Sequence, residues 1–147
     1  MTDINDSLNQ YAHMFSMSNV ALERAQYAIE RLTAISPKPA VELLITDTLD
    51  GNGVRSFLSL WIFSSQHCLE AHEFMTANTY DIATIANNVT QVYMSSSDFT
   101  PGQPSNSARL LVNFTTRFGV TGTLGATGHN CDLLYNTALH HLTPHLI

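Results

Sequence analysis

The strongest constraint on this fold is a strand-like alternation near the C-terminus that gives way to a helical pattern. Apolar and polar side chains alternate along residues 108–117, as they do in a β-strand that buries one face. A second alternating stretch, residues 120–127, begins just after Gly119, so the two stretches predict a hairpin with a tight turn. The first strand carries Leu110, Val112, Phe114 and Thr116 on one face and Arg109, Asn113, Thr115 and Arg117 on the other.

The hairpin is followed by a predicted helix over residues 131–142, which we expect to fold back onto the sheet. Asn130 is a favourable residue for the N-cap of this helix, and Asp132 lies in its first turn, where a negative charge is stabilised. One apolar stripe would face the sheet. Its residues are Tyr135, Ala138, Leu139 and Leu142. A helix that closes a sheet indicates the α+β class.

The N-terminal part of the chain, residues 6–35, has a helical pattern with apolar residues at heptad positions. Prolines at 37 and 39 end it, and residues 16–19 can divide it into two helices, with Ser18 or Asn19 capping the second. Burying a large side chain is worth about 1.5–3 kcal/mol, so either the protein's own sheet or a second copy must cover the stripe. The stripe and the single tryptophan give these candidate interface residues: Leu8, Tyr11, Phe15, Leu22, Ile29, Leu32 and Trp61.

Between the helices the periodicity predicts about seven antiparallel strands in one curved sheet or barrel. Residues 41–46 and 54–63 read as a hairpin around residues 50–53, whose glycines and asparagine tolerate positive φ. Both faces of the second strand are apolar, so each must be covered. The other strands are predicted at residues 67–74, 80–86 and 89–94, with an exposed loop at 95–107.

A chain of 147 residues suits one domain that buries about 70% of its unfolded surface. We expect a helical segment, residues 1–36, and a sheet domain with its closing helix, residues 37–147, to form one compact unit. The two cysteines, Cys68 and Cys131, are too few for a disulfide scaffold and are expected to be thiols. No apolar stretch could span a bilayer and the acidic start is not a secretory signal, so a soluble, cytoplasmic protein is predicted.

Charge and histidine patterns exclude several kinds of partner. Six Lys and Arg against twelve Asp and Glu give a net charge of −6, which disfavours nucleic acid and anionic membranes. His141 and His145 have helical ligand spacing and His129 lies near Cys131, but no complete ligand set follows, so no metal or other cofactor is expected. A face shared by Cys68, Glu70 and His72 is the one arrangement that could be catalytic, and no known catalytic motif is present.

Three stretches give the chain a resemblance to the pleckstrin-homology-like superfold, in particular its small bacterial members. They are residues 59–63, residues 80–85 and the hairpin and helix at 109–142. The resemblance covers about residues 41–146 and implies seven strands in two near-orthogonal sheets, with a C-terminal helix at an open corner. It also implies binding of phosphoinositides, peptides or proteins, and assembly into oligomers. Only Arg55 lies near the loop at 50–53, so phosphoinositide recognition is not expected.

These features predict a non-enzymatic module for protein or peptide binding or for assembly. We also expect the protein to self-associate. One alternative is a cone-shaped α+β domain of the nuclear-transport-factor type, binding a small molecule or acting as an enzyme. It predicts a deep pocket under the N-terminal helix, with Tyr11 or Tyr27 facing His72. Another alternative is a dimer similar to acidic secretion chaperones, which matches the size and charge but not the number of strands.

Overall fold

A computed structural model describes most of the chain and shows three helices and seven strands. The described residues are 4–35, 39, 42–49, 51–52, 54–64, 67–72, 82–86, 89–103, 105–117, 119 and 121–142, with only the backbone at 58, 67–72 and 82–86. The elements are α1 (Ile4–Met14), α2 (Asn19–Ile35), β1 (Glu42–Leu49), β2 (Arg55–Phe63), β3 (His67–His72), β4 (Ile82–Ala86), β5 (Val89–Ser97), β6 (Arg109–Thr116), β7 (Thr121–Thr127) and α3 (Asn130–His141).

The strands form two sheets. One has the order β1-β2-β3-β4 and the other the order β5-β6-β7. The pairs β2/β3, β5/β6 and β6/β7 are antiparallel. The predicted α+β class is therefore confirmed, whereas a single curved sheet or barrel is not shown. Among the described helices none is long and apolar enough to cross a bilayer.

Contacts divide the chain into two compact units. The first unit comprises Met1–Ile45 and Leu58–Ile85, and the second comprises Thr46–Phe57 and Ala86–Ile147. In the first unit α1 packs on α2, and α2 packs on β3. Both faces of β2 are buried there, as its apolar pattern predicts: Leu60, Trp61, Ile62 and Phe63 have no exposed surface.

The predicted break in the N-terminal helix is confirmed at residues 15–18. Ser16 has a φ of 51°, a left-handed conformation that the α-helix does not continue through. Ser18 Oγ then accepts a hydrogen bond from the backbone N–H of Ala21 at 3.1 Å, so Ser18 is the N-cap of α2. The cap fixes where α2 begins. The buried face of α2 carries Ala21, Ala25, Ala28, Ile29 and Leu32.

Replacing Ser18 by alanine should lower the free energy of unfolding by about 1 kcal/mol, because an N–H at the start of α2 loses its acceptor. Urea denaturation followed by circular dichroism measures this change. Asn19→Ala is the matched control, since Asn19 is the neighbouring exposed residue and lies inside the helix. A larger loss for Asn19→Ala than for Ser18→Ala would contradict the assignment of the cap.

The second unit confirms the C-terminal hairpin and its alternation. The face of β6 that was predicted to be apolar is buried, and α3 packs on β6 and β7. Gly119, with a φ of 81°, donates its N–H to the carbonyl of Thr116 at 3.0 Å and forms the tight turn before β7. The side chains on the buried face of β6 are Leu110, Val112, Phe114 and Thr116.

Three details of this unit differ from the sequence-based expectation. β5 continues to Ser97, where a loop from residue 95 was predicted. The N-cap of α3 is His129, which makes no side-chain cap hydrogen bond, and Asn130 is instead the first residue of the helix. The buried stripe of α3 is also rotated: Leu139 is exposed and Tyr135 is half-buried. The residues that α3 buries are Asn130, Cys131, Leu134, Thr137 and Ala138.

Candidate functional site

Most of the candidate interface residues have side chains that are buried by packing within one copy of the protein. Leu8 and Tyr11 of α1 and Ile29 and Leu32 of α2 are buried, whereas Phe15 and Leu22 are half-buried. The rings of Tyr11 and Phe15 are 5.6 Å apart. Packing within the chain therefore covers most of the apolar stripe, and a role of these residues between copies stays a prediction.

Trp61 is fully buried in β2. Its indole Nε1 donates a hydrogen bond to Ser59 Oγ at 2.9 Å, and its ring lies 6.3 Å from that of Phe63. A buried indole N–H that already has an acceptor belongs to a stable core. Trp61 and Leu32 are thus the candidate residues that have no exposed surface.

A buried carboxylate that the sequence analysis missed organises the second unit. Asp47 of β1 has no exposed side-chain surface, and its Oδ2 lies 2.9 Å from Arg55 Nε of β2. This contact has the distance of an ion pair without the N–H direction of a hydrogen bond. The backbone N–H of Thr127 donates to Asp47 Oδ1 at 3.1 Å, and Asn130 Nδ2 donates to the same oxygen at 2.7 Å. The Thr127 hydroxyl donates to Oδ2.

We call Asp47, Arg55, Thr127 and Asn130 the Asp47 cluster. Both carboxylate oxygens accept hydrogen bonds from within the chain, so the cluster is built to hold a buried charge and to join β1 and β2 to the start of α3. In the sequence, the cluster is marked only by an acidic residue that follows the apolar residues 43–45 after one threonine. The cluster also places the Arg55 guanidinium beside a carboxylate, which weakens it further as a phosphate ligand.

The thiol of Cys131 is buried at the start of α3 and donates to the carbonyl of Ala126 at 3.5 Å. Burial, together with the nearby negative charges of Asp47 and Asp132, raises the pKa of the Cys131 thiol to about 11. A thiol in this state is a poor nucleophile, because the thiolate is the reactive form.

Stability should therefore fall as the pH rises from about 9 to about 11, because the unfolded chain loses the Cys131 proton at lower pH than the folded chain. The contribution of the neutral thiol is complete below pH 9 and disappears above pH 11. The measurement is the free energy of unfolding of the protein minus that of Cys131→Ala, taken across this range so that other titrations cancel. A flat difference would contradict the raised pKa.

The metal and catalytic arrangements considered from the sequence lie partly outside the described residues. Within the described ranges, no group of three or more His, Cys, Asp or Glu residues could hold a metal ion. His140 and His141 are adjacent in the last turn of α3, where positive charge is favourable, and His145 lies outside the described residues. The side chains of Cys68, Glu70 and His72 are also outside them, so their shared face on β3 stays a prediction.

The helical segment does contain a groove, but it lies on the surface. It has a volume of about 760 Å³ and runs between α1 and α2. Tyr11 is buried against Phe15, and the hydroxyl of the exposed Tyr27 accepts hydrogen bonds from Arg31. This is not the deep pocket that the cone-shaped alternative requires. The groove is lined by Asn5, Gln26, Ile29, Glu30, Thr33 and Ala34.

Among the described elements of the second unit, the edge strand β5 has the most exposed residues. It is nine residues long, pairs with β6 on one side and ends the three-stranded sheet. Val92 and Met94 lie on the same face as the buried row of β6 but are only half-buried, and Tyr93 on the opposite face is 61% exposed. β5 contains no charged residue and no proline. It thus lacks the side chains that usually protect an edge, apart from a bulge between Val89 and Gln91.

A partly exposed apolar surface lies beside this edge. Leu111, on the face of β6 opposite to the buried row, is exposed, so α3 packs on the same side of the sheet as Val92 and Met94. At the end of β5 the ring of Phe99 lies 5.8 Å from that of Tyr135, and Leu139 follows one helical turn later with 49% exposure. We call Val92, Met94, Phe99, Tyr135 and Leu139 the β5 flank.

The other edge of this sheet is different. The backbone N–H of Thr127, at the end of β7, donates to Asp47, and Ala126 and Thr127 are buried. One edge of the sheet is therefore partly covered within the chain, whereas β5, as far as the described residues extend, pairs with a strand on one side only and has an apolar flank.

Comparisons of the chain with protein-family models, with curated proteins and with solved structures gave no match. A function must therefore be inferred from the geometry of the chain. Among the described features, the β5 edge is the one that could form backbone hydrogen bonds with another strand.

Proposed function

We propose that the protein is a non-enzymatic module that binds an extended segment of protein or peptide along the edge of β5. The observation that carries this proposal is that a long, uncharged, accessible edge strand lies beside an apolar flank. In strand addition, backbone hydrogen bonds supply affinity, and alternate side chains of the added segment supply specificity.

The chemistry of such a segment follows from the two faces of β5. Side chains directed toward the β5 flank would lie beside Val92 and Met94 and should be apolar. Side chains directed to the other face would lie beside Tyr93 and Ser95, where polar residues are accommodated. We therefore expect a segment with alternating apolar and polar residues.

The architecture offers indirect support for the same proposal. The resemblance to the pleckstrin-homology-like superfold implies seven strands in two sheets with a C-terminal helix, and the described residues form seven strands in two sheets followed by a helix. We also propose that the chain has a pleckstrin-homology-like fold with curved sheets. We propose in addition that the protein is cytoplasmic. Phosphoinositide binding is not part of it, since the charge of Arg55 is compensated by Asp47.

A displayed library of random nine-residue peptides, selected on the protein, tests the proposal. Peptides that bind the protein should bind Met94→Lys at least about tenfold more weakly, because the added strand would bury the lysine charge. Fluorescence anisotropy with the selected peptides measures the affinities.

Leu111→Lys is the matched control for this experiment. Leu111 lies next to Val112, the partner of Met94, but it is exposed on the other face of the sheet. This variant should bind the selected peptides as the unmodified protein does. Equal losses for the two variants, or a selection that yields no peptide, would refute a peptide site at this edge.

A further inference from the structure

We infer that the natural occupant of the β5 edge is β5 of a second copy, paired antiparallel about a two-fold axis at Tyr93. This inference deepens the proposed function and depends on it, because it names the partner of the same edge. The two three-stranded sheets would join into one six-stranded sheet.

The register follows from the side chains of β5. A two-fold axis perpendicular to the joined sheet keeps equivalent faces on the same side. Odd-numbered residues of one copy must therefore oppose odd-numbered residues of the other, and even-numbered residues must oppose even-numbered ones. With the axis at Tyr93, each Val92 opposes Met94 of the second copy, and the two Tyr93 side chains meet on the other face. Both half-buried apolar residues would then be covered by apolar partners.

The length of the pairing is limited by the bulge. Between Val89 and Gln91 the register with β6 shifts, which twists the strand and ends regular pairing. Residues 91–95 of each copy remain, with Gln91 opposing Ser95. An interface of this size is small, so we expect a weak dimer with a Kd of about 1–100 μM.

Charge also favours self-pairing at this edge over other surfaces. Each copy has a net charge of −6, so two copies repel at a distance. β5 contains no Asp, Glu, Lys or Arg, so no like charges would oppose each other along the paired strands.

Sedimentation equilibrium and cysteine cross-linking test the inference together. The protein and Leu111→Lys should dimerise, whereas Met94→Lys should weaken the dimer by at least about tenfold. In Tyr93→Cys the two new thiols would be opposed across the axis, about 5 Å apart at Cβ, and should form a disulfide under mild oxidation. Mass spectrometry of the digested dimer identifies a bond between two copies of the residue 93 peptide.

Ser95→Cys is the control for the register. It lies on the same face as Tyr93, but its two copies would be about 13 Å apart, too far for a disulfide. Cross-linking at position 95 in preference to 93, or a Met94→Lys variant that dimerises normally, would overturn the inference. So would a protein that stays monomeric at several hundred micromolar. In that last case peptides that discriminate Met94→Lys would leave the proposed function standing.

Discussion

Replacing Asp47 by alanine is expected to lower the free energy of unfolding by about 3 kcal/mol, the lower end of the cost of breaking a buried ion pair, because Asp47 is fully buried whereas the Arg55 side chain keeps 24% of its surface exposed. The change removes the acceptor shared by Thr127 N–H, Asn130 Nδ2 and the Arg55 guanidinium. A small domain has a total stability of about 5–15 kcal/mol, so much of the protein could be unfolded at 37 °C. Denaturation in urea, followed by circular dichroism, measures the loss.

Thr48→Ala is the matched control, because Thr48 is the next residue of β1 and is exposed. Its effect should stay below about 0.5 kcal/mol. The double variant Asp47→Ala with Arg55→Ala should lose less than the sum of the two single variants, since neither charge is then left without its partner. A loss below about 1 kcal/mol for Asp47→Ala would show that the cluster is not a structural centre.

The features that the sequence predicted correctly are set by local periodicity and turn chemistry. The alternation along β6 identifies its buried face, because neighbouring side chains of a strand point to opposite sides. Ser18 marks the start of α2 because a hydroxyl at that point satisfies a helix N–H. Both signals act over a few residues and do not depend on the rest of the fold.

The features that the sequence analysis missed depend on contacts between distant residues. Asp47 and Asn130 are far apart in the chain, and no local pattern shows that the amide of Asn130 serves Asp47 instead of capping α3. The rotated stripe of α3 has the same origin. A side chain such as Leu139 reads as core from helical spacing, but which stripe is buried depends on where α3 meets β6 and β7.

The candidate site at the β5 edge also could not be predicted from local sequence patterns. The serines at 95–97 read as a loop, although they continue β5 by pairing with β6. Which strand lies at a sheet edge is decided by strand order, which the sequence pattern leaves open. The residues of the helical stripe are buried or half-buried, but the sequence pattern leaves open what covers them.

Gly122→Ala is expected to lower the free energy of unfolding by about 1–3 kcal/mol, because it overpacks the core of the second unit. Gly122 pairs with Phe114 across β6 and β7, and a Cβ atom at Gly122 would clash with Cε1 and Cζ of the Phe114 ring. The ring is 2% exposed, so it has little room to move away. Thermal and urea denaturation measure the loss.

Gly125→Ala on the same strand separates this packing effect from the general effect of replacing a glycine. A Cβ at Gly125 would meet only the carbonyl oxygen of Asp47, at 3.9 Å, so this variant should be neutral or slightly stabilising. Combining Gly122→Ala with Phe114→Leu should cost less than the sum of the two changes, since the smaller side chain leaves space for the new methyl group. Additive losses, or equal effects at Gly122 and Gly125, would mean that the aromatic ring does not hold this position of β7.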